Sequence, residues 1–198
     1  MVARGRIGER CDMPIKEAIE SCFRDLVIDE HYKDVTVVAI CKKASVSRAA
    51  FYDFFINKEA VLESIVRDEI VTPMRMLYET IPKIKIKSTQ LIMTEVAYEN
   101  ISKNRAFYSK INKVEKGSLL IRVITNEIIT LTEPILQDFH IDDDEKSYTA
   151  FFFSAASAML ISQWLERDLD IEPARLSQLF NKWTLRYWQE ESPVKLQW

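Results

Sequence analysis

Three helix starts crowded between Thr36 and Leu62 constrain this chain more than any other feature. Thr36 can cap a short helix, Val37 to Ala44, whose apolar residues Val37, Ile40, Cys41 and Ala44 recur at helical spacing. Ser45 and Val46 interrupt it. Ser47 can cap a second short helix running to about Phe54, and Asn57 a third that starts at Lys58. Two short helices joined by a tight turn, the second opening on small and basic residues, form a helix-turn-helix, whose second helix enters the major groove of DNA. Charge agrees with that reading. Between Thr36 and Lys58, Lys42, Lys43, Arg48 and Lys58 face only Asp53, while residues 123–198 hold 13 acidic against 6 basic side chains and the whole chain carries −3. Such a chain would meet phosphate by one end and be repelled elsewhere.

The rest of the chain reads as helix too. Only 3 glycines and 6 prolines punctuate 198 residues, enough length for one or two domains and a sizeable core. The fold class is all-α. Pro14 marks a start, and Ile15, Ala18, Ile19, Cys22, Phe23, Leu26 and Val27 give that helix a full apolar face, a support for the helix-turn-helix. Tyr32 and Val35, in the loop that follows, are placed to plug the small core. From Asn57 a helix continues toward Tyr78, with a kink expected at Pro73. Ile81 to Lys87 alternates Ile and Lys, and without a partner strand it reads as a basic linker. Further helices are expected over Thr89–Ser102, Arg105–Val114, Ser118–Phe139, Glu145–Arg167 and Pro173–Gln189.

Residue by residue, Thr36, Val37, Ile40, Ala44, Val46, Ser47, Phe51, Tyr52, Phe55, Lys58, Glu59 and Leu62 closely resemble the N-terminal signature of the tetracycline-repressor (TetR) family of transcriptional regulators, most clearly over Ala50 to Leu62. Ser45 departs from it, standing where the family usually has a turn glycine. The resemblance implies a DNA-binding domain over residues 1–57 and an effector-binding and dimerisation domain over 58–198. It implies that Phe51 and Phe55 point inward and that Thr36, Ser47, Arg48, Ala49, Tyr52 and Lys58 meet DNA. Arg48 suits a guanine edge, Ala49 a thymine methyl, and Thr36, Tyr52 and Lys58 phosphates. Arg4 and Arg6, in the basic arm of residues 1–11, either reach a minor groove or lie in a solvated tail. Phe107–Ile111 and Trp164–Asp168 faintly resemble a subgroup whose type member regulates dihydroxyacetone utilisation.

An operator-binding homodimer follows from the resemblance, released or modulated by a small-molecule effector. The dimer is expected through the last two helices. Ala150, Ser154 and Ala158 form a row of small residues, and Leu176, Phe180, Trp183 and Tyr187 an apolar stripe; either could instead face its own core. An effector pocket is expected among Met93, Tyr98, Phe107, Tyr108, Phe152 and Met159, with Glu127 as a polar anchor inside an apolar helix. For each of these, core packing is the competing reading.

Catalysis finds little support. The glycines build no phosphate loop, and His31 and His140 lack metal-ligand spacing, so neither a catalytic set, a metal site nor a cofactor is expected. Asp142 to Glu145 reads as negative charge at a helix start. The 3 cysteines form no paired motif: Cys22 and Cys41 read as reduced core residues, and Cys11 as the one candidate for a redox role. No signal peptide or membrane span is visible, which points to a cytoplasmic protein. Two other readings stay open: a regulator controlled by a protein partner, and an all-α enzyme or interaction module that carries a helix-turn-helix-like pair.

Overall fold

The computed structural model describes residues 14–80, 86–137 and 139–190, and among them every regular element is helical. Two compact units result, Met1–Val61 and Leu62–Trp198. The division falls inside a helix, about one turn beyond residue 57. Arg4, Arg6, Cys11 and most of the Ile81–Lys87 stretch lie outside the described residues.

The first unit contains α1 (Ile15–Asp29), α2 (Val37–Ala44), α3 (Arg48–Tyr52) and the start of α4 (Lys58–Val66). The apolar face of α1 buries Ile19, Cys22, Phe23, Leu26 and Val27, and Val35, Ile40, Cys41, Phe51 and Phe55 complete the core. Tyr32 sets its ring edge-on to Phe23, 6.3 Å between centroids. Cys22 and Cys41 are buried as reduced thiols, and desolvation holds the Cys41 thiol above its ordinary pKa.

Local chemistry fixes the ends of these short helices. The Ala39 N–H donates to Thr36 Oγ1 at 3.1 Å, the Ala50 N–H to Ser47 Oγ at 3.0 Å, and the Ala60 N–H to Asn57 Oδ1 at 2.9 Å. Each cap supplies an acceptor that the first helical turn lacks. At the other end of α2, Ser45 is left-handed (φ 57°, ψ 36°), and the Val46 N–H reaches back to the Cys41 carbonyl at 3.0 Å. The turn therefore takes the conformation that glycine prefers, built on serine. The second helix, expected to run to about Phe54, closes at Tyr52, where the Phe54 and Phe55 N–H groups both turn in on the Phe51 carbonyl at 3.1 and 2.9 Å.

The second unit holds the rest of α4, a π-helical turn (Arg67–Val71), α5 (Thr72–Thr80), α6 (Ile86–Lys103), α7 (Arg105–Asn112), α8 (Ser118–Leu136), α9 (Asp143–Glu166) and α10 (Pro173–Glu190). Ile86 and Lys87, read from sequence as linker, open α6. The expected kink at Pro73 takes the form of the π turn. Proline has no N–H for the Glu69 carbonyl four residues back, and its ring crowds that oxygen. Asn100 Nδ2 on α6 donates to the Glu69 carbonyl instead, at 2.7 Å.

Helices α8 and α9 lie antiparallel. At one end of the pair Gly117 (φ 88°) approaches Ser162 so closely that a Cβ would stand 2.8 Å from its Oγ. Asn112 and Ser162 exchange hydrogen bonds there, Nδ2 to the Ser162 carbonyl at 3.0 Å and Ser162 Oγ to Oδ1 at 2.8 Å. At the other end Leu136, Phe139 and Ala150 pack together. A buried polar seam joins α6 to α10, in which Asn181 Nδ2 donates to Thr94 Oγ1 at 2.9 Å and Gln90 Nε2 to Thr184 Oγ1 at 2.9 Å. Among the described residues no helix is long and apolar enough to cross a membrane.

Candidate nucleic-acid interface

In the first unit, α3 presents two opposite faces. Phe51 (0% exposed) and Phe55 (5%) turn inward with ring centroids 5.8 Å apart, while Arg48, Ala49 and Tyr52 are exposed on the other side. Aromatic burial on one side holds the exposed face in place, and that face carries a long cationic donor beside a single methyl group. Those are the groups that read guanine and thymine edges in a major groove. Ser47 is exposed, and its hydroxyl serves first as the cap of α3. Thr36 occupies the equivalent place at the start of α2.

The four basic side chains of the motif divide two and two. Arg48 and Lys42 are exposed. Lys43 pairs with Asp25 and Asp29 of α1 at 3.4 and 3.6 Å. The Lys58 ammonium turns into the loop after α1: it donates to the Tyr32 carbonyl at 2.6 Å and the Val35 carbonyl at 2.8 Å, and lies 4.3 Å from the centre of the Tyr32 ring. Desolvation lowers its pKa, against a smaller opposing pull from Asp34. Nothing in the spacing of the sequence forecast this inward turn.

Two protein-family models match the chain: bacterial regulatory proteins, tetR family, over residues 24–65, and a transcriptional regulator C-terminal region over residues 89–185. The chain belongs to the TetR family. Over 172 residues it is 23% identical to the dhaKLM operon transcriptional activator DhaS of Lactococcus lactis, covering 84% of this chain and 87% of that protein. A match to the uncharacterised HTH-type transcriptional regulator YxbF of Bacillus subtilis is 32% identical over 53 residues, 26% of this chain and only 14% of that protein. Among solved structures, the dihydroxyacetone kinase operon activator DhaS aligns with a TM-score of 0.59 at 19% identity, covering 90% of this chain and 98% of that one. A protein described as a TetR-family regulator from Syntrophomonas wolfei aligns with a TM-score of 0.62 at 15% identity, covering 87% and 95%. At these identities the structural likeness speaks for the fold. The DhaS matches agree with the faint subgroup resemblance at Phe107–Ile111 and Trp164–Asp168.

In this TetR-family chain the expected effector residues do not share one environment. Met93, Tyr98, Phe107 and Tyr108 are buried in the second unit. Glu127 is buried as well, but Arg67 of the π turn already holds it, Nε to Oε2 at 2.8 Å and Nη2 to Oε1 at 2.6 Å. A buried carboxylate needs such a partner, and here the chain supplies it. Phe152 (65% exposed) and Met159 (60%) lie on the outer face of α9.

The expected dimer residues need the complementary correction. Ala150, Ser154 and Ala158 are buried at 0–1% exposure, on the α9 face turned toward α8, because small side chains let those two helices come close. Leu176 and Phe180 are also buried, whereas Trp183 is 61% exposed. The Tyr187 side chain lies outside the described residues. On the opposite face of α9, Tyr148 joins Phe152 and Met159, and with Trp183 they line an open groove of about 720 Å³ along α9 and α10. Tyr148 was missed in the sequence, although it precedes Phe152 by one helical turn. Arg67 and Glu69 were missed too, since no periodicity marks a polar residue that must serve a buried partner.

Proposed function

We propose that this regulator binds a palindromic operator as a homodimer, from the cytoplasm, and acts as a repressor whose hold on DNA is released or modulated by a small-molecule effector. The observation that supports it most is the exposed Arg48–Ala49–Tyr52 face of a recognition helix clamped from behind by Phe51 and Phe55. In this reading Arg48 and Ala49 meet base edges, and Thr36, Ser47 and Tyr52 meet the backbone. The apolar groove of Tyr148, Phe152, Met159 and Trp183 supplies the dimer contact. Two-fold symmetry then sets the recognition helices one turn of DNA apart, about 34–36 Å. The chemistry required is binding alone, without catalysis.

The effector acts among the helices of the second unit, where Met93, Tyr98, Phe107 and Tyr108 are buried. Coupling of about 1–3 kcal/mol between the two sites is enough to change operator affinity 5–150-fold. A nuclease footprint on fragments selected from genomic DNA tests the reading: protection should cover a palindrome with two half-sites one helical turn apart. Protection of a single half-site, or of no defined sequence, would count against it. Activation is the second reading, favoured by the match to the activator DhaS over 84% of this chain. A reporter driven from the protected promoter separates the two by the sign of its response to deleting the regulator.

A further inference from the structure

We infer that Lys58 is a positioning residue: it sets the direction in which Thr36 meets the DNA backbone, and does not itself hold a phosphate. The inference deepens the operator-binding reading and rests on it.

The geometry begins with the two short bonds of the Lys58 ammonium, to the carbonyls of Tyr32 at 2.6 Å and Val35 at 2.8 Å, with the Lys33 carbonyl behind at 3.5 Å. An ammonium has three N–H donors. Three loop carbonyls converge on them, and the Tyr32 ring covers a further side at 4.3 Å. Reaching a phosphate would break short, charge-assisted bonds that a DNA oxygen could only replace. The decisive partner is Val35. Its carbonyl shares a peptide plane with the Thr36 N–H, and a peptide is rigid about that bond. Fixing the Val35 oxygen therefore aims the Thr36 N–H. The Thr36 Oγ1 is fixed as well, because it accepts from the Ala39 N–H at 3.1 Å. At the far end of α2, Lys43 ties the helix to Asp25 and Asp29 of α1. Lysines thus pin α2 at both ends, and the helix is held before DNA arrives.

Arginine and methionine replacements separate the two roles. Lys58→Arg keeps a cation able to grip phosphate, but its planar fork does not match three carbonyls converging on one point. Lys58→Met removes the charge. On a duplex selected from genomic DNA, both variants should lose roughly tenfold in affinity while the slope of log affinity against log salt stays that of the unsubstituted protein. In a cycle with an amide-to-ester change at Thr36, which removes the N–H and keeps the hydroxyl that caps α2, the doubly changed protein should bind about as weakly as the worse single one, since both act through the same contact. A slope reduced by about 0.9 in Lys58→Met, retained in Lys58→Arg, with losses that multiply, would overturn the inference and restore a direct phosphate contact. The unsubstituted chain gives a readout that needs no variant to fold. The Lys58 ammonium should give an exchange-protected NMR signal in the free protein that stays in place when the duplex is added. Movement of that signal on binding would equally overturn it. Failure of the unsubstituted protein to prefer the selected duplex over a shuffled one would instead defeat the operator-binding reading itself.

Discussion

Arg67 grips the Glu127 carboxylate with two parallel hydrogen bonds, 2.8 and 2.6 Å long, from a π-helical turn to the middle of α8. Two residues along the same turn, Glu69 takes hydrogen bonds from Tyr108 Oη at 2.6 Å and Asn104 Nδ2 at 2.9 Å. The turn that Pro73 forces into the helix is thus fastened by polar side chains to α6, α7 and α8. The Glu127 side chain is 7% exposed and that of Arg67 is 52% exposed, so water screens one side of the pair. Glu127→Gln should therefore cost about 1–2 kcal/mol, seen as a lower urea midpoint with an unchanged slope. An unchanged midpoint would mean that the bidentate contact is not kept in solution.

Tyr98 and Tyr108 should respond in opposite ways to loss of the hydroxyl. The Tyr98 hydroxyl is buried without a hydrogen-bond partner among the described residues, and burial raises its phenol pKa. A folded-state pKa above the unfolded value favours the fold below about pH 10, and that contribution fades as pH rises past it. Tyr98→Phe should be neutral or stabilising by about 1 kcal/mol. Tyr108→Phe strips a donor from Glu69 and should destabilise by about 1–2 kcal/mol. Thermal melts of the two variants decide it. A Tyr98→Phe protein that melts normally but no longer answers the effector would identify that hydroxyl as an effector contact.

Ser45 carries a left-handed backbone that glycine adopts freely. It is exposed, so Ser45→Gly loses little packing and should stabilise the protein by about 1 kcal/mol, or roughly 2–4 °C in melting temperature. A lower melting temperature would show that the added flexibility of the unfolded chain outweighs the relieved strain.

Much of this architecture was legible in the chain. Thr36, Ser47 and Asn57 announce helix starts through short oxygen-bearing side chains, and each does cap the helix it precedes. The apolar face of α1 could be read because its far side is polar. Helices α9 and α10 were harder, since α9 is apolar on nearly every side. Periodicity then names two faces without saying which one the chain itself covers. Side-chain size decides that. Ala150, Ser154 and Ala158 let α8 approach, which leaves Tyr148, Phe152 and Met159 outside. Contacts such as Lys58 with Val35 or Arg67 with Glu127 join residues far apart in sequence and leave no periodic trace.

The outer face of α9 and α10 gives its own prediction. Phe152→Lys with Trp183→Lys places two charges on the apolar groove at side chains that are themselves 65% and 61% exposed. Sedimentation should show dimers becoming monomers, with normal helicity and a large loss of operator affinity. Dimers that persist would move the interface elsewhere.

Base reading by Arg48 is the centre of the account, and fluorescence anisotropy tests it most directly. The duplex is the fragment most enriched by genome-wide selection, compared with a shuffled duplex and with single-base variants across a range of salt. The unsubstituted chain should prefer the selected duplex strongly and saturate at two chains per palindrome. Arg48→Ala should lose about 1–3 kcal/mol and become indifferent to the base at one position of each half-site. Equal losses on every duplex, or equal and weak binding of the unsubstituted chain to selected and shuffled DNA, would contradict it.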